Sequence, residues 1–295
     1  MKLTNALFST LFVHQAMSVP LTRRAVDDIT VLNFALTLEH LENAFYQGAL
    51  AQFDAKAFTD AGLPPFARGR FLQIADHEKT HVQFLSSNLG AQATQPCNYS
   101  FPYTDPKSFT ALSQVLEGVG TSAYAGAAQL ISNKTYLTVA ATILSTEARH
   151  ASWIAAAVNK FGGWSGPFDV PLGLKQVFSL AAPFITSCPS SNPVLPVKAF
   201  PTLTIANPVS GQSSAVSVSK SSQTPTHIAF FTGLDKVFVP IENGQVAVPQ
   251  NLSGQVYAVA TASATDASDE AVVAGPAILL FERDSNDRLI PNNSK

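Results

Sequence analysis

Between residues 27 and 163 apolar side chains recur at alternating steps of three and four, the period of an α-helix buried along one side. Leu32, Ala35, Glu39, Glu42, Tyr46 and Ala49 share one stripe of a helix predicted to run from Asp27 to about Phe53. Pro64-Pro65 announces a second helix, closed by Gly90, with Phe71, Ile74, Glu78, His81 and Leu85 on its inner face. Asp105-Pro106 opens a third, which aligns Ser113, Glu117, Gly120, Tyr124 and Ala127. The turn Ser132-Asn133-Lys134 leads into a fourth, which carries Ala140, Ile143, Glu147, His150 and Ile154 and is expected to stop at Gly162-Gly163. A shorter fifth helix is expected over 174–184.

From about Phe200 the period changes. Seven short β-rich runs, at 202–205, 215–218, 227–231, 236–239, 245–248, 256–260 and 277–281, are separated by Gly, Pro, Ser and Asn. They predict a small immunoglobulin-like β-sandwich over 202–283, with the Pro-rich stretch 187–201 as linker and the polar tail 284–295 disordered.

The helical part carries one unit twice. Leu38-Glu39, six residues, Tyr46, one residue, Gly48-Ala49 repeats as Leu116-Glu117, Tyr124 and Gly126-Ala127. Ile74, three residues, Glu78-x-x-His81 repeats as Ile143, Glu147-x-x-His150. The short link within each unit predicts antiparallel pairs, and the stretch 91–104 is long enough to cross between them. This is the connectivity of a ferritin-like four-helix bundle, here spanning 26–186 with the fifth helix.

Four carboxylates in the middle of apolar stripes are untenable without compensating cations, because burying an isolated one costs several kcal/mol. Two metal ions resolve this: residues three apart share a helix face, so Glu78 with His81 and Glu147 with His150 reach one centre, joined by Glu39 and Glu117. Oxygen and imidazole donors without thiolate suit iron or manganese. The repeat selects Glu39 over Glu42 as ligand, since Glu42 aligns with Gly120; Glu42 is expected to accept a hydrogen bond from a ligating imidazole or water. Tyr46 and Tyr124 are expected to bond a bridging carboxylate, to supply an electron to an oxidised centre or to fill core; Arg149 is a candidate partner for a carboxylate beyond the ligands, and His40 and His77 read as ordinary histidines.

Composition limits the alternatives. Charged residues make up 13% of 295 and the net charge is -2, which leaves no nucleic-acid footprint. Lys2 followed by the apolar run 6–13 and by Ala16-Met17-Ser18 looks like an export signal over 1–18, too short to span a bilayer. Cleavage after Ser18, or further processing after Arg24 in Arg23-Arg24, is expected. Sequons at Asn98, Asn133, Asn251 and Asn292 agree with secretion, as does pairing of the two cysteines, Cys97 and Cys188.

The run 33–46 (Asn-Phe-Ala-Leu-Thr-Leu-Glu-His-Leu-Glu-Asn-Ala-Phe-Tyr), with Glu117-Gly118-Val119-Gly120-Thr121-Ser122-Ala123-Tyr124 and Glu147-Ala148-Arg149-His150, resembles the ferritin-like domain of fungal secreted stress-response and sexual-development proteins and of plant desiccation-related proteins. The resemblance implies a ferritin-like bundle with a dinuclear iron or manganese site, in a group most of whose members have no assigned reaction. The expectations are therefore two: an exported metalloprotein acting on dioxygen or peroxide, or a non-enzymatic stress protein whose β domain meets cell wall or another protein. Hydrocarbon oxygenation would further require a long apolar channel beside the metals.

Overall fold

The computed structural model describes residues 26–290; the expected signal segment 1–18, the cleavage points after Ser18 and Arg24 and the Asn292 sequon lie outside them. Helix α1 (Asp28–Gln52) starts where Asp27 accepts the Thr30 N–H at 2.8 Å. A one-turn-and-a-half helix α2 (Ala55–Asp60), capped by Asp54, occupies the connection to α3 (Ala67–Leu89), which stops at Gly90 in a positive-φ conformation. Asp105 and Ser108 cap each other at the head of α4 (Pro106–Ala127), and Asn133 caps α5 (Lys134–Trp153). Beyond Trp153 the helix widens into a π turn, Ile154–Asn159, and ends at left-handed Lys160, two residues before the expected Gly162 stop. The fifth helix, α6, spans Leu174–Ala181.

Helix α1 packs along α3 and α4 along α5, and α1 meets α4 to close the bundle. Phe45, Phe71 and Phe109 fill one end, with ring centroids 4.9 to 5.1 Å apart about Phe109. The crossover after Gly90 is anchored: Thr94 N–H donates to Asn33 Oδ1 at 2.8 Å, and His40 Nε2 lies 3.1 Å from the Thr94 carbonyl. Further along, β1 (Asn98–Tyr99) pairs with β2 (Ile185–Ser187) beside a disulfide between Cys97 and Cys188. Asn33 and His40 are thus buried polar groups with partners, and His40 takes no part in the carboxylate cluster.

The seven runs after residue 200 become β3 (Leu203–Ile205), β4 (Ser213–Val218), β5 (His227–Thr232), β6 (Asp235–Glu242), β7 (Gln245–Ala247), β8 (Gly254–Thr261) and β9 (Val272–Phe281). Their order is β3-β4-β7-β6-β5-β8-β9, every pair antiparallel. Strand β6 pairs with β5 from Asp235 to Pro240 (Val239 opposite Ile228) and with β7 at its end (Glu242 opposite Gln245). It therefore joins a β3-β4-β7 layer to a β5-β8-β9 layer, the immunoglobulin-like arrangement, and β3 also approaches β9 so that the sheet nearly closes. Ile205, Phe230, Val246, Val256 and Leu279 are buried between the layers.

The sandwich does not stand apart from the bundle. Phe231, Tyr257, Val259 and Val272 on the other face of β5-β8-β9 share a core with Val119 and Ala123 of α4, Leu172, and Val177 of α6. Tyr257 Oη donates to the Gly118 carbonyl at 3.0 Å and lies 2.9 Å from Ser122 Oγ. A Cβ on Gly118 would stand 2.6 Å from Gln255 Oε1, so glycine here permits the close approach of strand to helix. The 187–201 stretch is fastened rather than free: Asn192 exchanges two hydrogen bonds with the Gln95 backbone (2.9 and 2.8 Å), and Phe200 N–H donates to Ser179 Oγ at 2.8 Å. Residues 284–290, expected to be disordered, fold back, with Leu289 bridging Arg283 and the Ile290 N–H donating to the Glu282 carbonyl at 2.8 Å. Backbone bonds across a tight turn compensate for its lack of apolar side chains. No helix among the described residues is long and apolar enough to cross a membrane.

Candidate metal centre

The two-helix repeat brings its charged residues to the middle of the bundle. Glu39 on α1, Glu78 on α3, Glu117 on α4 and Glu147 on α5 are each 0% exposed, and His150 is buried with them. His81 is the least enclosed, with 12% of its side chain accessible. One ligand atom from each of Glu39, Glu78, His81 and Glu147 falls within 4.8 Å of the others, and the same holds for Glu78, Glu117, Glu147 and His150. The two groups share Glu78 and Glu147. Glu39 with His81 belongs to one end, Glu117 with His150 to the other.

His81 Nδ1 lies 3.1 Å from Glu78 Oε2 and 3.2 Å from Glu39 Oε2. His150 Nδ1 lies 3.1 Å from Glu117 Oε2. The shared pair is left short of partners: Glu78 Oε1 and both Glu147 oxygens accept no hydrogen bond. The nearest imidazole nitrogens stand 3.3 Å from Glu78 Oε1 and 3.5 Å from Glu147 Oε1, contacts too oblique to satisfy them. Orphaned, fully buried carboxylate oxygens are what a cation-binding centre offers, and the donor set of carboxylate and imidazole suits iron or manganese.

The tyrosines cross between repeats. Tyr46 of the first unit donates to Glu117 Oε1 of the second, and Tyr124 of the second donates to Glu39 Oε1 of the first. Each holds a glutamate that belongs to a single group rather than a shared one, and both rings also fill the hydrophobic core. His77, which its position off the inner stripe made look ordinary, turns out to touch the centre. Its Nδ1 lies 2.9 Å from His150 Nε2, and the rings stack with centroids 5.1 Å apart. The signal was present in register, since a histidine one position before Glu78 faces the neighbouring α5.

The expectation for Arg149 needs correction, and that for Glu42 is met only in its burial. Glu42 is buried but accepts no hydrogen bond from imidazole among the described residues; its carboxyl lies against Gly120, where a Cβ would stand 3.0 Å from Glu42 Oε1 and 2.8 Å from Glu147 Oε2. The missing side chain at Gly120 is the space that Glu42 uses, which is why the repeat breaks there. Arg149 is exposed, its guanidinium reaching only Ser145 Oγ at 3.4 Å, because one step of the helix from His150 turns it outward.

Electrostatics mirror the geometry. In the metal-free centre burial raises Glu39 from an ordinary 4.5 to about 7, against the lowering effect of His81. Burial, reinforced by Glu78 and neighbouring carboxylates, holds Glu42 and Glu147 well above the carboxylate range. Burial also opposes ionisation of Glu78, but His150 and His81 outweigh it and bring Glu78 to about 2. Both ligand-type histidines, disfavoured by burial, are carried to about 10 by Glu39, Glu78 and Glu117. Without metal, then, imidazolium takes the place of the cation.

A narrow apolar cleft of about 30 Å³ enters the bundle past Phe84, Leu85 and Ile143 to Tyr124. That is room for about two water molecules.

Comparison with known proteins agrees with this geometry. Residues 27–160, which hold all four bundle helices, match the family described as the ferritin-like domain. The chain is also similar to Protein rds1 of Schizosaccharomyces pombe, 27% identical over 185 residues that make up 61% of this chain. The match covers 45% of that relative, so the chain spans about half its length. A ferritin-like domain followed by a β-rich domain, with a distant fungal relative, is consistent with the fungal stress group that the sequence resembles.

Proposed function

We propose that the ferritin-like domain of this chain binds two iron or manganese ions and that the protein is an exported redox protein acting on dioxygen or peroxide. The observation that carries the reading is the sharing of Glu78 and Glu147 between two ligand groups while three of their four oxygens lack a hydrogen bond. Glu78 and Glu147 would serve both ions, Glu39 with His81 one of them and Glu117 with His150 the other.

A bound metal pair would supply the electrons for reduction of the oxidant. The chain's own residues prepare for it. His150 presents an Nδ1 lone pair only if its proton sits on Nε2, and His77 Nδ1, 2.9 Å from that Nε2, is placed to accept it. Tyr46 and Tyr124 fix the terminal carboxylates in orientation. The apolar cleft that reaches Tyr124 gives a small oxidant a path to the centre.

Export is supported by the Cys97–Cys188 disulfide and by the exposure of Asn98, Asn133 and Asn251 within their sequons. The competing reading is a metal-stabilised stress protein without turnover, whose sandwich meets cell wall or another protein; the integration of the sandwich into the bundle core favours a structural role of this kind. Anaerobic loading with Fe(II) followed by air separates the two. A fast rise in near-ultraviolet absorbance, or peroxide consumption by the Mn(II)-loaded form, is expected; a flat trace with both metals bound supports the second reading.

A further inference from the structure

We propose that a second site, between the bundle and the sandwich, binds a neutral saccharide. A cavity of about 290 Å³ opens where the outer faces of α4 and α5, the 162–170 loop and the β8-β9 edge meet. It lies behind the metal centre: its α4 wall is Gln114, Gly118, Thr121 and Ser122, whereas the metal-facing stripe of that helix is Glu117, Gly120 and Tyr124. The metal chemistry makes no use of it.

Three observations identify its ligand. Thr121 is 3% exposed, lines the cavity, and its hydroxyl has no hydrogen-bond partner. A buried hydroxyl left unpaired is costly, and rotation of the Thr121 side chain towards a hydroxylated ligand in the cavity would supply the missing partner. The other polar groups are held rigidly. Gln114 Nε2 donates to Glu282 Oε1 at 2.7 Å, and Gln255 Nε2 donates to the Val115 carbonyl at 3.2 Å and to Tyr257 Oη at 2.7 Å. Fixed planar amides and a carboxylate discriminate by hydroxyl position, because a wrong stereoisomer leaves them unpaired.

Charge and shape narrow the class. The lining includes the carboxylates of Glu282 and Asp169 and contains no Lys, Arg or His, which disfavours phosphate, sulfate and uronate groups. Trp164, also in the lining, is 79% exposed and presents its indole to solvent. An exposed indole beside polar groups is a platform for the apolar face of a pyranose ring, much as aromatic side chains serve at other wet interfaces. The volume is near the lower end of ligand cavities and fits one sugar ring at the end of a chain.

The test is isothermal titration of the full-length, metal-loaded protein with neutral trisaccharides of N-acetylglucosamine, β-1,3-glucose, β-1,4-glucose and mannose, alongside a uronate trimer. At least one neutral trimer is expected to bind, with affinity at least ten-fold weaker in both Trp164→Ala and Thr121→Val, equal to about 1.4 kcal/mol or more. Metal content and melting temperature should stay at the wild-type level, since Trp164 is exposed and valine fills the Thr121 volume. No heat from any neutral trimer up to about 10 mM, unchanged affinity in both variants, or preference for the uronate would each overturn the proposal. Because metal content is read in the same samples, failure here is distinguishable from failure of the redox reading.

Discussion

At the scale of single residues, the centre is a conflict between burial and charge that bound cations would relieve. Without metal, His81 and His150 at about 10 bind protons that their unfolded counterparts, at 6.5, have released. Their stabilisation is complete below about pH 6.5 and is lost as pH rises towards 10. Glu39, raised from 4.5 to about 7, adds a loss in the window between those values, while Glu78 at about 2 contributes stability that disappears only on acidification below 4.5. The metal-free protein should therefore melt at falling temperatures from about pH 5 to pH 10, while metal, which binds deprotonated ligands, widens its stabilising effect over the same range. Melting curves with and without chelator check this, and a metal-free stability that is flat or rising with pH contradicts it. Tyr46→Phe removes a buried bond to a carboxylate and should lower the unfolding free energy by about 1.5–3 kcal/mol, read from the urea midpoint. The ligand-type residues were legible because their repeat fixes the register. The contact of His77 with His150 and the space beside Glu42 were not foreseen, because a stripe gives angle around a helix and says nothing of what the neighbouring helix leaves empty or offers.

At the scale of elements, helix starts were readable where capping is local: Asp27, Asp105 and Asn133 each accept backbone N–H groups within three residues. The end of α5 was not, since the π turn after Trp153 runs only to Lys160, whose left-handed backbone does the work expected of a glycine. Gly126, second in the repeated Gly-Ala pair, shows another kind of constraint. A Cβ there would stand 1.8 Å from the Leu172 carbonyl oxygen, because the 170–172 segment lies directly on α4 and Leu172 N–H donates to the Ser122 carbonyl at 3.0 Å. Gly126→Ala should destabilise by about 1–3 kcal/mol through forced backbone movement, despite alanine's better helix propensity. A urea midpoint unchanged or raised in that variant would show that the segment yields without cost.

For the whole molecule, the sequence announces a bundle and a sandwich but not their union. The clue lay in strand composition: β5 and β8 are apolar at successive positions, Ile228-Ala229-Phe230-Phe231 and Val256-Tyr257-Ala258-Val259-Ala260, which is the pattern of a sheet buried on both faces. One face meets the other layer of the sandwich and the other meets α4 and α6, so the β domain braces α4, the helix that carries Glu117 and Gly120. The central claim remains that the clustered acids and imidazoles hold two metal ions. Elemental analysis of the purified full-length protein after loading tests it most directly. The account predicts two iron or manganese atoms per chain in the wild type and at most one in Glu78→Ala and Glu147→Ala; a metal-free wild type, or the same content in both variants, would contradict it.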